Sequence, residues 1–187
     1  MGKESWVDNQ EQFYLTEEWA TNLNNLLEHP DYKFALKWIK EKDKVLELGC
    51  NSGLFVKYLR NEKNCMAFGI DLPKIVEKAR CSYLIPADLN KGLFFNERFD
   101  VILMFGTIEH LYNDWLVLNK VKYLLEDDGK FIISIPTSEN VSKNHLRYYP
   151  YAEFLRLMKV AGLTCIECQK HPNYLSQQPR LYAFERK

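Results

Sequence analysis

This sequence has no surplus of either charge: 25 Lys and Arg stand against 25 Asp and Glu, for a formal net charge of zero. A nucleic-acid binder usually carries a basic excess, so a nucleic-acid partner is not expected. No apolar run approaches the roughly 18 residues of a membrane span. Residues 1–10 are polar and lack the apolar centre of a secretory leader, which predicts a cytoplasmic protein. Cysteine is sparse and odd in number: Cys50, Cys65, Cys81, Cys165 and Cys168. An odd set without a second C-x-x-C pair argues against a disulfide framework and against a zinc knuckle; reduced, buried thiols are expected. Cys165 and Cys168 also fall in a predicted strand, where side chains three apart face opposite sides. Repeats and linkers are lacking as well, so the 187 residues are expected to form one domain.

What is present alternates between strand and helix. Apolar runs at 45–48, 66–70, 82–85, 99–105 and 130–135 predict strands, and 164–169 and 181–185 predict two more. Between them lie amphipathic stretches. Leu54, Phe55, Tyr58 and Leu59 mark one predicted helix; Trp115, Leu118, Val121 and Leu125 mark another. A third starts after Pro150 with Tyr151, Phe154, Leu155 and Met158, and Gly162 stops it. The run at 99–105 is almost wholly apolar, as expected of a parallel strand covered on both faces. This alternation means a doubly wound α/β domain. Residues 1–42 are expected to form an N-terminal helical cap and 43–187 the core. In the cap, Trp19, Leu23, Leu26 and Leu27 predict one helix, and Phe34, Ala35, Trp38 and Ile39 a second. These helices could cross the mouth of the site or pack on the sheet; both readings stay open.

The chemistry is expected where strand 45–48 runs into Gly49-Cys50-Asn51-Ser52-Gly53. Glycines allow a positive φ and close backbone approach, and a helix opening near Ser52 would aim its free N–H groups into the same space. A dinucleotide fingerprint needs G-x-G-x-x-G. Here those positions are Gly49, Asn51 and Leu54, so two of three glycines are missing. The pattern is G-x-x-x-G with Glu47 two residues before it, which suits a smaller charged cofactor better than a pyrophosphate. Asp71 ends the second strand, near the position from which an acid bonds ribose hydroxyls. Asp88 ends the third. Each acid alone is a weak signal; together and in order, each just past a strand, they are stronger.

These stretches, with 69–71, 87–89, 99–111 and 124–136, are together similar to the class I S-adenosylmethionine-dependent methyltransferases, in particular to the small-molecule branch known as type 11/12. The resemblance implies a Rossmann-like doubly wound sheet of seven strands in the order 3-2-1-4-5-7-6, with the last strand antiparallel and helices on both faces. It implies S-adenosylmethionine as cofactor and S-adenosylhomocysteine as product. Gly49 to Gly53 would wrap the methionine part, Asp71 would bind the ribose, and Asp88 with Leu89 would meet the adenine. Glu47, Asn51, Leu72 and Phe105 complete the expected cofactor contacts. Asn51 departs from the family's usual glycine, and asparagine tolerates the left-handed region better than other side chains.

After the fourth strand comes Thr107-Ile108-Glu109-His110-Leu111. His110 is the candidate general base for an acceptor hydroxyl, with Glu109 orienting it or the acceptor, because an imidazole with an unperturbed pKa near about 6.5 takes a proton at neutral pH. The bland alternative is a helix start with a solvated acid and a satisfied imidazole. His145, Arg147 and Tyr148, in the loop after strand five, are expected to form the acceptor wall, with Arg147 available to an anionic group; an exposed, aromatic-anchored connection to the next helix is the alternative. The Glu-His pair also resembles that of small-RNA 2′-O-methyltransferases, which hold a metal with two Glu and two His. Gly106 stands where the second Glu would be needed, so no metal is expected, and a metal held by Glu109, His110 and a distant His145 stays as the alternative. The expected reaction is methyl transfer to oxygen or nitrogen of a small-molecule acceptor, by a monomer or homodimer. A macromolecule methyltransferase and a non-catalytic cofactor-binding subunit are the rival readings.

Overall fold

Val45, Leu46 and Leu48 are wholly buried, and so are Val101, Ile102, Leu103 and Met104. Strands this apolar on both faces need cover on both sides. In the computed structural model, which describes residues 23–136, 145–170 and 180–187, they lie at the centre of a seven-stranded sheet. The strands are β1 (Lys44–Leu48), β2 (Met66–Asp71), β3 (Leu84–Pro86), β4 (Phe99–Met104), β5 (Leu125–Ser134), β6 (Leu163–Gln169) and β7 (Leu181–Arg186). Their order is β3-β2-β1-β4-β5-β7-β6, as the resemblance implied. The pairs among β1 to β5 are parallel, and β7 runs antiparallel to both β5 and β6.

Alternate side chains go to opposite faces. Leu46, Leu48, Ile102, Met104, Phe131 and Ile133 join the core under helices α5 (Asp114–Leu124) and α6 (Tyr151–Val160). Val45, Val101, Leu103 and Ile132 join the opposite core, with α1 (Leu23–Glu28), α2 (Pro30–Leu36) and α3 (Leu54–Glu62). The remaining helix, α4 (Pro73–Ala79), follows β2. Register sets the site. Leu48 pairs with Ile70 on one side and Met104 on the other, so β1, β2 and β4 end level. Gly49, Asp71 and Phe105 therefore emerge at one edge, beside the switch point between β1 and β4 where open α/β sheets bind ligands.

Several expectations need correction. Strand three is shorter and later than predicted, Leu84–Pro86, and β4 stops at Met104. Trp115 is 40% exposed. The inward row of α5 is Val117, Leu118, Val121 and Leu124, and Trp115 sits in the first turn off that row. Cys165 and Cys168 do not face apart. A β-bulge between Cys165 and Glu167 adds a residue to β6 and breaks the alternation, so the Cys165 thiol shares a hydrogen bond with Cys168. The helix expected from Trp19, and residues 137–144 of the polar loop, lie outside the described residues. Helices α1 and α2 do both things left open above. Leu26, Phe34 and Ala35 pack on the sheet, while Asp31 and Tyr32 reach the edge where the strands end. Among the described residues no helix is long and apolar enough to cross a membrane.

Candidate functional site

The glycine loop is shaped from within the protein. Gly49 has φ 78°, and its N–H and that of Cys50 donate to the Ile70 carbonyl at 2.9 and 3.1 Å. A Cβ on Gly49 would lie 2.1 Å from Thr107 Oγ1. Thr107 has its hydroxyl within bonding distance of the Leu48 and Phe105 carbonyls, so it joins the ends of β1 and β4. Gly53 has φ 68° and caps α3, which begins at Leu54. A Cβ there would meet the Leu84 side chain at 2.6 Å. The contact that excludes a side chain at Gly53 is thus a neighbouring strand's leucine rather than space for a ligand. Asn51 takes the left-handed conformation, φ 48°, without being glycine.

Asp71 braces this loop. One carboxylate oxygen accepts from the Asn51 N–H at 2.7 Å and the other from the Leu72 N–H at 2.8 Å. A carboxylate offers about four acceptor positions, more than these two backbone bonds use. Leu72 then caps α4. Asp88 turns back on its own chain, accepting from the Asn90 backbone and side chain at 2.9 and 3.1 Å. Leu89 is buried in the core. Asn90 was not anticipated. Its side-chain amide oxygen accepts from the N–H groups of Tyr112 and Asn113 at 3.0 and 3.3 Å, which ties the loop after β3 to the loop after β4. The D-x-N spacing of an Asx turn was its only signal in the sequence.

Glu47 faces the α1–α3 side and is 2% exposed. Burial, opposed by a hydrogen bond from Tyr32 and reinforced by the Asp71 charge, pushes its carboxyl up to about 8. Its Oε2 has no hydrogen-bond partner. Tyr32 comes from α2 and lies between Phe55, at 4.4 Å between ring centroids, and Phe105, at 5.3 Å and edge-on. Burial and the Glu47 charge hold the Tyr32 phenol well above its ordinary pKa, so it stays a donor. Asp31 fastens the same helix to β5 by accepting from Ser134 Oγ at 2.9 Å, and Ser134 in turn accepts from the Gly106 N–H. Nothing in the local sequence marked Tyr32, because Glu47, Phe55 and Phe105, which it meets at the site, are distant in the chain.

Beyond β4 the chain makes a 3₁₀ turn, Ile108–His110. It buries Glu109 to 4% exposure. Burial is the main force raising the Glu109 carboxyl to about 7; a backbone hydrogen bond and the Arg180 charge oppose it, and Asp31 adds to it. Glu109 Oε2 has no hydrogen-bond partner. The structure brings His145 here. Its ring and that of His110 meet edge to face with centroids 4.8 Å apart, and one donor atom from each of Glu109, His110 and His145 lies within 4.8 Å of the others. Burial and then Arg180 lower the His145 pKa, favouring its neutral ring, and its Nδ1 lacks a partner. The Leu146 N–H donates to the Glu109 carbonyl at 2.8 Å and secures the two segments.

Arg147 is engaged elsewhere. Its guanidinium donates to Asp114 at 2.8 Å and to the Tyr112 carbonyl at 3.4 Å, and the Tyr149 hydroxyl donates to the same Asp114 oxygen at 2.8 Å. The cation expected to meet an anionic acceptor is therefore paired inside the protein, anchoring the loop. Tyr148 is exposed.

This arrangement can be set beside known proteins. Two curated relatives match over about half of the chain, which spans only 39% and 33% of their lengths. One of them is N-methyltransferase 4 of Papaver somniferum, 29% identical over 119 residues, or 57% of this chain. Among solved structures, the PH0226 protein of Pyrococcus horikoshii aligns with a TM-score of 0.74 and 20% identity, covering 94% of this chain and 99% of that one. A TehB-like SAM-dependent methyltransferase of Corynebacterium glutamicum aligns with a TM-score of 0.72 and 19% identity, covering 99% and 100%. At these identities the structures establish a shared fold. A model of the methyltransferase domain matches residues 14–176, most of the sequence, and the chain belongs to that methyltransferase-domain family.

Proposed function

We propose that this protein transfers the methyl group of S-adenosylmethionine to an oxygen or nitrogen of a small-molecule acceptor. The observation that carries this reading is the level edge of β1, β2 and β4, where Glu47, the Gly49–Gly53 loop and the Asp71 carboxylate come together in a methyltransferase-domain chain. Glu47 suits the cationic methionine end of the cofactor, since a buried carboxyl gains most from an opposite charge. Asp71 suits the ribose. Asp88 and Leu89 border the adenine, and Leu72 and Phe105 line the cofactor's flanks.

The acceptor lies on the other side, toward Glu109, His110 and the segment with His145, Arg147 and Tyr148. Much of the acceleration comes from holding the acceptor atom in line with a methyl that the sulfonium already activates. An acceptor hydroxyl also loses a proton, and His110, with Glu109 beside it, receives it. The free cysteines fit a reducing, cytoplasmic setting.

Calorimetry with S-adenosylmethionine and S-adenosylhomocysteine tests the cofactor, and a turnover panel of sugars, phenols, amines and transfer RNA tests the acceptor. Binding of both cofactor forms with turnover on a small hydroxyl or amine compound is expected. His110→Ala should lower turnover by about 10²–10⁴-fold and leave cofactor affinity unchanged. Absence of cofactor binding, or tight binding of a nicotinamide dinucleotide instead, overturns the reading.

A further inference from the structure

We propose that Glu109, His110 and His145 form a binding site for one divalent transition-metal ion. Two observations point there independently. The first is geometric: one donor atom from each residue lies within 4.8 Å of the others, although His145 is 35 positions from His110 in the chain. A tetrahedral ion with bonds of about 2.0–2.1 Å brings its ligand atoms to roughly 3.4 Å of one another, so modest side-chain rotation closes the set. The second is unmet bonding. Glu109 is 4% exposed, yet its Oε2 has no hydrogen-bond partner, and neither has His145 Nδ1. Buried polar atoms are normally paired, so two bare ones on residues of a single cluster point to a missing ligand.

The backbone keeps the set in place. The His110 N–H donates to the Thr107 carbonyl at 3.0 Å, and the Leu146 N–H to the Glu109 carbonyl at 2.8 Å. All three ligands are therefore fixed through their own or a neighbouring residue's backbone. Two imidazoles and one carboxylate suit zinc, iron, cobalt or nickel and disfavour magnesium and calcium, which prefer all-oxygen shells. Three protein ligands also leave a fourth position open, as catalytic zinc sites do. Arg180 places a positive charge near both Glu109 and His145, and Asp31 places a negative one near Glu109; an incoming ion meets both fields.

The role of the ion, though not its binding, rests on the methyl-transfer reading above. The open position takes the acceptor's hydroxyl and lowers its pKa, so the proton leaves to solvent. The bound oxygen then forms a C–O bond to the methyl carbon as the C–S bond breaks, and the sulfonium becomes a neutral thioether. His110 serves as a ligand in this scheme, and the acceptor is a hydroxyl compound.

The test uses the full-length protein stripped with a chelator and dialysed. Zinc is titrated by calorimetry, and cobalt serves as a spectroscopic probe. One equivalent per chain is expected, with visible cobalt bands typical of mixed nitrogen and oxygen ligands. Glu109→Gln and His145→Ala should each weaken zinc by at least about 10–100-fold, the loss that even outer-shell changes bring, while cofactor affinity and circular dichroism stay as in the wild type. A wild type that takes up no ion, or variants that bind it unchanged, overturns the site. Stripping should also abolish turnover and zinc restore it; full activity after stripping removes the proposed role and leaves His110 as the base. Cofactor binding without metal uptake would sink this inference alone, and metal uptake without cofactor binding would sink the methyl-transfer reading alone.

Discussion

The molecule buries two glutamates at the same edge of its sheet, and their surroundings differ. Glu47 sits beside a second acid, Asp71, and the phenol of Tyr32, which itself packs between two aromatic rings. Glu109 sits beside two imidazoles and within the field of an arginine. Each carries an oxygen without a partner, and burial raises each carboxyl, to about 8 and about 7. Similar burial therefore prepares different chemistry. A carboxyl in an acidic, aromatic pocket suits an organic cation, whereas one faced by two imidazoles supplies a donor set. The neighbours, more than the depth, set what a buried acid is ready to receive.

The sharpest way to break this comparison is to deform the cradle that holds the first glutamate. Gly53→Val adds a β-branched side chain at φ 68° against Leu84. Left-handed strain of about 1–3 kcal/mol and overpacking of similar size should together cost on the order of 2–6 kcal/mol. Urea unfolding should show this loss together with loss of cofactor binding. The fold would not be left intact, as a purely ligand-facing glycine would leave it. Gly53→Ala with Leu84→Ala relieves the clash but not the backbone strain, and should recover part of the stability.

Next in size is the brace. Asp71→Ala strands the Asn51 N–H and the ribose contacts, and should cost about 1–3 kcal/mol of cofactor affinity by calorimetry. Amide exchange at Asn51 should quicken in the free protein. Unchanged exchange would mean that the loop holds its shape without the carboxylate.

The smallest effect separates the two acids by pH. Between the ordinary carboxyl range and about 8, Glu47 is protonated in the free protein. A cationic ligand favours the carboxylate, so binding below pH 8 expels that proton. Affinity should rise with pH by at most about tenfold per unit and level off above the raised pKa. Glu47→Gln keeps the ligand's own titration and removes this slope. Calorimetry in buffers of different ionisation enthalpy should show proton release at pH 7 in the wild type and less in the variant.

The first acid's surroundings were largely legible in the sequence, while the second's were named only as an alternative set that a resemblance suggested, for a physical reason. Glu47, Gly49, Gly53 and Asp71 belong to one strand–loop–helix–strand unit, and local rules of strand ends and positive φ place them together. Even there, Tyr32 escaped notice because its helix reaches the site only through packing. The pairing of His145 with His110 and Glu109 depends on how the loop after β5 returns across the end of β4, and no short-range pattern encodes that path. The pairing of Arg147 was not foreseen for a related cause: its partner Asp114 stands 33 residues away. Strand order was readable because seven apolar runs with the observed crossovers match a familiar topology. The bulge in β6 was not, since a single extra residue leaves no mark in the alternation of so short a strand.

That bulge has a meaning beyond the two thiols it brings together. Among the described residues the sheet ends in β3 on one side and β6 on the other. The first is only three residues long, and the second has its ladder interrupted between Cys165 and Glu167. A strand from another molecule needs a long, regular row of free N–H and C=O groups to zip onto, and neither margin offers one. The irregularity that upset the reading of two cysteines is thus also a guard against fibrillar association, built in at the cost of one residue out of register.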